Sequence, residues 1–195
     1  MLEAMNIKNQ KTFYGLMVFG GVMGALASFM QLIEKLHLLK NPGVDLICNV
    51  NSVLNCTNVL NAPQSAVFGF PNAMMSLVLF VVFLSVGLVG LTGGTVSRGM
   101  RIATQFLSLF TLGFGVWFLW QSTYVIGAIC LYCIFNFIGL VLINIAWVRV
   151  NHKDISRSNS TNDKLDKIVA NNFDIVAWGV LTLAVLVNIY LKLGL

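Results

Sequence analysis

Apolar residues run along this chain in five long blocks: about Phe13–Ile33, Asn72–Leu91, Ile102–Trp120, Ile129–Val148 and Ile175–Leu193. The polar and charged positions gather between them. Each block has the roughly 20 mostly apolar residues that a helix needs to cross the hydrocarbon of a bilayer. The pattern predicts an all-α integral membrane protein. It has a four-helix transmembrane bundle, a fifth transmembrane helix and a long loop between the first two helices. The first block is too long for the apolar region of a signal peptide, and no A-x-A-like cleavage site follows it, so it reads as a retained helix.

The polar intervals divide the chain further. Residues 1–150 form the bundle, 151–170 a cytoplasmic linker, polar and rich in Ser and Asn, and 171–195 the fifth helix. The loop over 34–71 is long enough to be functional or disordered, and it is not of low complexity. It holds "NPG" (41–43), a turn signal, then "CNVNSVLNC" (48–56) and "NAPQSAVFGFPN" (61–72). Ser65–Phe70 is too apolar for a free loop and too short to span, which suits a lid at the membrane interface. Pro71 fits the start of the second helix, where its missing N–H costs little. Gly20 and Gly24 have the spacing of a close helix-packing motif.

Composition agrees with the pattern: 57% of residues are hydrophobic and 10% charged, against about a quarter charged in soluble domains. The mean hydropathy is +0.84. The net charge of +5 reads as an orientation signal rather than as nucleic-acid binding. With the N-terminus inside, Lys8, Lys11, Arg98, Arg101, Arg149, Lys153, Arg157, Lys164 and Lys167 are all inside, and only Lys35, Lys40 and Lys192 are outside. The positive-inside rule selects that arrangement. Its consequence is chemical. Cys48, Cys56, Cys130 and Cys133 all fall on the outer side, where disulfides persist.

Cys130 and Cys133 stand three apart where the fourth helix begins. Residues at that spacing are neighbours on a helix face, and the positive end of the helix dipole favours a thiolate there. A thiolate is the attacking species in disulfide exchange. Two dithiols at one face can form a relay. They can also be two structural disulfides that staple a non-catalytic membrane module. A zinc site is disfavoured by the long Cys48–Cys56 spacing and the oxidising side, and no metal is expected. Oxidising thiols here requires a two-electron acceptor. No haem, flavin or iron–sulfur signature is present, which leaves a quinone dissolved in the membrane.

At these residues the chain resembles the vitamin K epoxide reductase family in its prokaryotic form. "CNVNSVLNC" is similar to the family's outward loop pair, "SAVFGFPN" to its segment entering the second helix, and "GAICLYCI" to its active-site C-x-x-C. The resemblance covers roughly residues 13–150. It implies four helices around a quinone, ubiquinone or menaquinone, at the outer face. Cys133 would reduce the quinone, Cys130 would exchange with Cys56, and Cys48 would meet an external thiol protein. It further implies quinone contacts from Ser65, Phe68, Asn136 and Phe137.

The chain departs from vertebrate relatives at Asn55, where they have Ser, at Ser65, where they have Asn, and at Phe137, where they have Tyr. Plain quinone reduction is therefore the expectation, with vitamin K quinone or epoxide reduction proper as an alternative. The fifth helix resembles the linker to a fused thioredoxin-like domain. The chain ends at Leu195 without one, so the expected partner is a separate periplasmic thioredoxin-like protein, and the expected location the bacterial inner membrane. An unrelated bacterial family of disulfide-forming quinone reductases is disfavoured by the loop spacing and order.

Other polar residues read more plainly. Asn136, one turn below Cys133, suits a bond across to another helix or a quinone oxygen. Asn144 and Gln105 read as interhelical contacts, and His37 as an interfacial polar residue. Trp117 and Trp120 fit an aromatic belt.

Overall fold

The computed structural model describes residues 2–156 and 171–194. Its helices are α1 (Leu2–Lys40), α2 (Cys56–Asn61), α3 (Asn72–Leu91), α4 (Arg98–Gln121), α5 (Leu131–Ser156) and α6 (Phe173–Leu193). A 3₁₀ turn occupies Pro63–Ala66 and a π turn Ser122–Ile126. Among the described residues, five helical stretches are long and apolar enough to cross a membrane: Gln10–Lys40, Asn72–Leu91, Arg98–Ile126, Leu131–His152 and Phe173–Leu193. The all-α, multi-pass reading holds. Of the linker expected over 151–170, residues 151–156 instead continue α5, and the rest lies outside the described residues.

Two boundaries differ from the hydropathy reading. The first span was expected to end at Ile33, yet α1 runs on to Lys40. Glu34 and Leu38 are buried there, and the Lys35 ammonium donates to the Leu60 carbonyl. Tertiary partners thus carry the helix past the end of its apolar run. The fourth span was expected to begin at Ile129, but Ile129 is extended and pairs with Leu54 of the loop in a single parallel bridge.

Helix α1 is central, packing along both α3 and α5, while α4 packs along α5. Small residues set these approaches. A Cβ on Gly20 would stand 2.8 Å from the Gly139 carbonyl oxygen, and one on Gly24 2.1 Å from the Phe80 ring. The Gly20/Gly24 motif therefore marks real close packing. Phe80, Phe83, Phe137, Ile143 and Trp147 fill the bundle core.

Asn144 and Gln105 are interhelical contacts, as expected. The Ser108 hydroxyl donates to Asn144 Oδ1 (3.0 Å), and Asn151 Nδ2 donates to Gln105 Oε1 (2.8 Å). Helix α6 lies at the edge of the bundle. It is fastened by a bidentate Arg149–Asp174 ion pair that is largely buried on both sides.

Candidate active site

The outer loop is a folded cap. Asn55 is the N-cap of α2, and its Oδ1 accepts from the Asn58 N–H at 3.0 Å, as Asn does well at that position. Asn49 and Thr57 brace each other across the base of the loop: Asn49 Nδ2 donates to Thr57 Oγ1 (2.8 Å), and the Thr57 N–H donates to Asn49 Oδ1 (3.2 Å). Between these braces Cys48 and Cys56 form a disulfide with a Cα–Cα distance of 5.8 Å.

The cap is pinned to the strand before α5. The Ile129 N–H donates to the Val53 carbonyl (2.8 Å), and the Asn55 N–H donates to the Ile129 carbonyl (3.1 Å). These two bonds fix the start of α2 against the residue preceding Cys130. The result is a sulfur–sulfur contact: Cys56 Sγ lies 3.3 Å from Cys130 Sγ. Cys56 is disulfide-bonded and carries no proton, so any hydrogen in this contact belongs to Cys130.

Cys130 immediately precedes α5 and Cys133 is in its first turn. The Cys133 N–H donates to the Cys130 carbonyl at 3.0 Å. Both cysteines are free thiols in this structure. Cys56 and Cys130 have no exposed surface, Cys48 is 3% exposed and Cys133 8%. Cys48, expected to meet an external protein, is therefore covered in this conformation, because the loop closes over its own disulfide.

On its inner side Cys133 borders a cavity between α1, α3, α4 and α5. The empty space there is about 560 Å³, open solvent at its mouth included. Its walls are mainly aromatic and aliphatic, with Phe80, Phe114, Phe118 and Phe137 prominent. Ser65, Asn136 and Phe137 line it. Phe68 is not among the lining residues: it stands half exposed on the cap, and its ring meets that of Phe114 at 5.9 Å between centroids. Val67 and Phe70 are similarly exposed, as a lid at the interface would be.

The polar groups of the cavity are not equivalent. Ser65 donates its hydroxyl to the Leu60 carbonyl (2.6 Å), and Thr111 to that of Leu107 (2.7 Å). Asn72 clasps the lid, donating to the Gln64 carbonyl (2.7 Å) and accepting from the Val67 N–H (3.2 Å).

Sequence reasoning passed over α1 as a source of site residues. Ser28, Gln31 and Glu34, at successive i+3 positions, are all buried. Gln31 lines the cavity and donates to Cys133 Sγ at 3.5 Å. Ser28 donates to Asn136 Oδ1 (3.2 Å). Glu34 lies within electrostatic reach of Tyr132 and Cys130. The signal was available: three polar residues at helical spacing inside an apolar run mark one polar face.

Once reduced, the loop pair would be placed for thiol–disulfide exchange with the inner pair, which borders an apolar cavity. No curated protein matches the chain. A family model does match, over residues 15–148, and its description is the vitamin K epoxide reductase family.

Proposed function

The chain belongs to the vitamin K epoxide reductase family, and from that premise we propose that it is a membrane thiol:quinone oxidoreductase that oxidises a thioredoxin-like partner outside the cytoplasm. Family membership makes it a membrane redox protein of a family whose enzymes use quinones. The choice of donor, the path and the face are our reading. The N-terminus is placed in the cytoplasm and the four cysteines at the periplasmic face of a bacterial inner membrane, following the distribution of basic residues. Residues 1–150 carry the chemistry.

The observation that carries this reading is the 3.3 Å contact between Cys56 and Cys130. It joins the two dithiols into one path. A partner thiolate attacks the Cys48–Cys56 disulfide at Cys48, and the partner's second thiol resolves the mixed disulfide. The partner leaves oxidised, with Cys48 and Cys56 reduced. Cys56 then attacks a Cys130–Cys133 disulfide at Cys130, Cys48 resolves it, and the dithiol passes to Cys130 and Cys133. A quinone bound in the cavity supplies the acceptor, taking two electrons and two protons and leaving as the quinol.

The lining suits such a ring. Phe114, Phe118 and Phe137 would pack its faces, and the amides of Gln31 and Asn136 would meet its oxygens. Phe137 offers no hydroxyl, and Ser65 has already committed its own.

The test is reduction of ubiquinone and menaquinone analogues by the purified protein with a reduced thioredoxin-like protein as donor. Turnover with oxidation of the donor is expected. A wild-type protein that oxidises no dithiol with any quinone sinks the proposal.

A further inference from the structure

Gln31 was given no part by the sequence, yet it touches the sulfur at the cavity. Four groups bond in one direction. The Ser28 hydroxyl donates to Asn136 Oδ1 (3.2 Å), Asn136 Nδ2 donates to Gln31 Oε1 (3.4 Å), and Gln31 Nε2 donates to Cys133 Sγ (3.5 Å). In this arrangement the Asn136 NH₂ faces Gln31 and the Gln31 NH₂ faces the sulfur. Cys133 is thus met by a donor, a contact that favours the anion against the cost of burying it.

We propose that Gln31 is the positioning residue of this site, holding Cys133 as a hydrogen-bond-accepting thiolate and keeping a second N–H for an oxygen of the molecule bound in the cavity. The second half of this statement rests on the quinone reading above; the first half does not. Of the other polar side chains lining the cavity, Ser65, Thr111 and Asn72 are engaged with backbone groups. Gln31 is 6% exposed, so an amide placed there without use would bear its desolvation cost for nothing. Antiparallel packing keeps it in register: Ser28 faces Asn136 and Gln31 faces Cys133, one turn apart on both helices.

The experiment uses Cys130→Ser protein with the Cys48–Cys56 disulfide intact, so that Cys133 is the one free thiol. Its alkylation by iodoacetamide is followed without quinone, in Gln31 and in Gln31→Met backgrounds. Met matches Gln in length and fills its space, so a residue needed only for packing is replaced without effect. Loss of a hydrogen bond to a charged group is expected to slow alkylation by roughly ten- to a hundredfold at neutral pH. The deficit should close as the pH rises and the thiol ionises unaided. Cys130 is removed in both backgrounds, the other titratable neighbours, Glu34 and Tyr132, are unchanged, and the cavity residues of α3 and α4 carry no charge.

An equal rate in the two backgrounds overturns the proposal, as does a deficit that persists at all pH values, which would mean altered access. The companion assay is quinone reduction by Gln31→Met in the otherwise native chain, expected to fall by a similar factor. If the wild-type protein reduces no quinone while the alkylation difference stands, the functional reading fails and the thiolate role survives.

Discussion

Removing Cys48 and Cys133 together leaves Cys56 and Cys130 with no other partner, and their geometry specifies the outcome. The two sulfurs are 3.3 Å apart, and a disulfide bond is about 2.05 Å long. Closing the bond requires a contraction of about 1.25 Å, within the reach of small side-chain rotations. The Ile129–Val53 and Asn55–Ile129 hydrogen bonds already hold the two backbone segments together. Oriented groups at about 3–3.5 Å reach effective molarities of ~10⁵ M or more. Mild oxidation should therefore produce the Cys56–Cys130 bridge far faster than either thiol reacts with millimolar external disulfide.

The product is read as a linked pair of proteolytic peptides by mass spectrometry, at several times after addition of oxidant. The control is the Cys56→Ala, Cys133→Ala protein, in which only Cys48 and Cys130 remain. If that protein forms its bridge as quickly, the order of transfer through Cys56 is wrong. If neither bridge forms, the loop does not deliver a sulfur to the inner pair, and the relay fails with it.

Cys130→Ala or Cys133→Ala should abolish quinone reduction with any donor, since the path has no parallel branch; near-normal turnover in a steady-state assay refutes it. Asp174→Ala leaves the Arg149 guanidinium largely buried without its carboxylate, at a cost of roughly 3–5 kcal/mol. Thermal unfolding in detergent should show the loss, and an unchanged midpoint would mean that the ion pair does not fasten α6. Gly139→Ala places a methyl 2.9 Å from the Gly20 carbonyl oxygen. Overpacking of this kind costs about 1–3 kcal/mol, so the midpoint should fall, whereas Gly113→Ala, which meets nothing, should leave it in place.

The helices were legible because lipid rewards one simple quantity, continuous apolar length, and the chain displays it five times. The paired cysteines were legible because their spacing is written in the sequence. Helix ends were less so: α1 continues to Lys40 through contacts of Glu34, Lys35 and Leu38 that no hydropathy window records. Ile129 looked like the first residue of a helix, since an apolar residue beside an apolar run gives no hint of a single bridge to a loop seventy-five positions earlier. Ser65 lines the cavity. That its hydroxyl is spent on Leu60 depends on the cap's fold and could not be read in advance. Gln31 and Asn136 show the opposite case. Each was visible as a polar residue in an apolar run, but their pairing depends on the register between α1 and α5, which one sequence does not state.

Cys56 lies beneath the cap with no surface exposed, bonded to Cys48 and touching Cys130. A sulfur holds one disulfide partner at a time, so Cys56 is a changeover contact. Joined to Cys48, it is closed to the inner pair; joined to Cys130, it would free Cys48. On the proposed path a donor and an oxidant would never be in continuous connection, and each pair of electrons would be handed over under cover. Enclosure would then do the sorting that a recognition surface does elsewhere. Small thiols would meet the cap before they meet a sulfur, and the protein oxidised would be the one able to displace it.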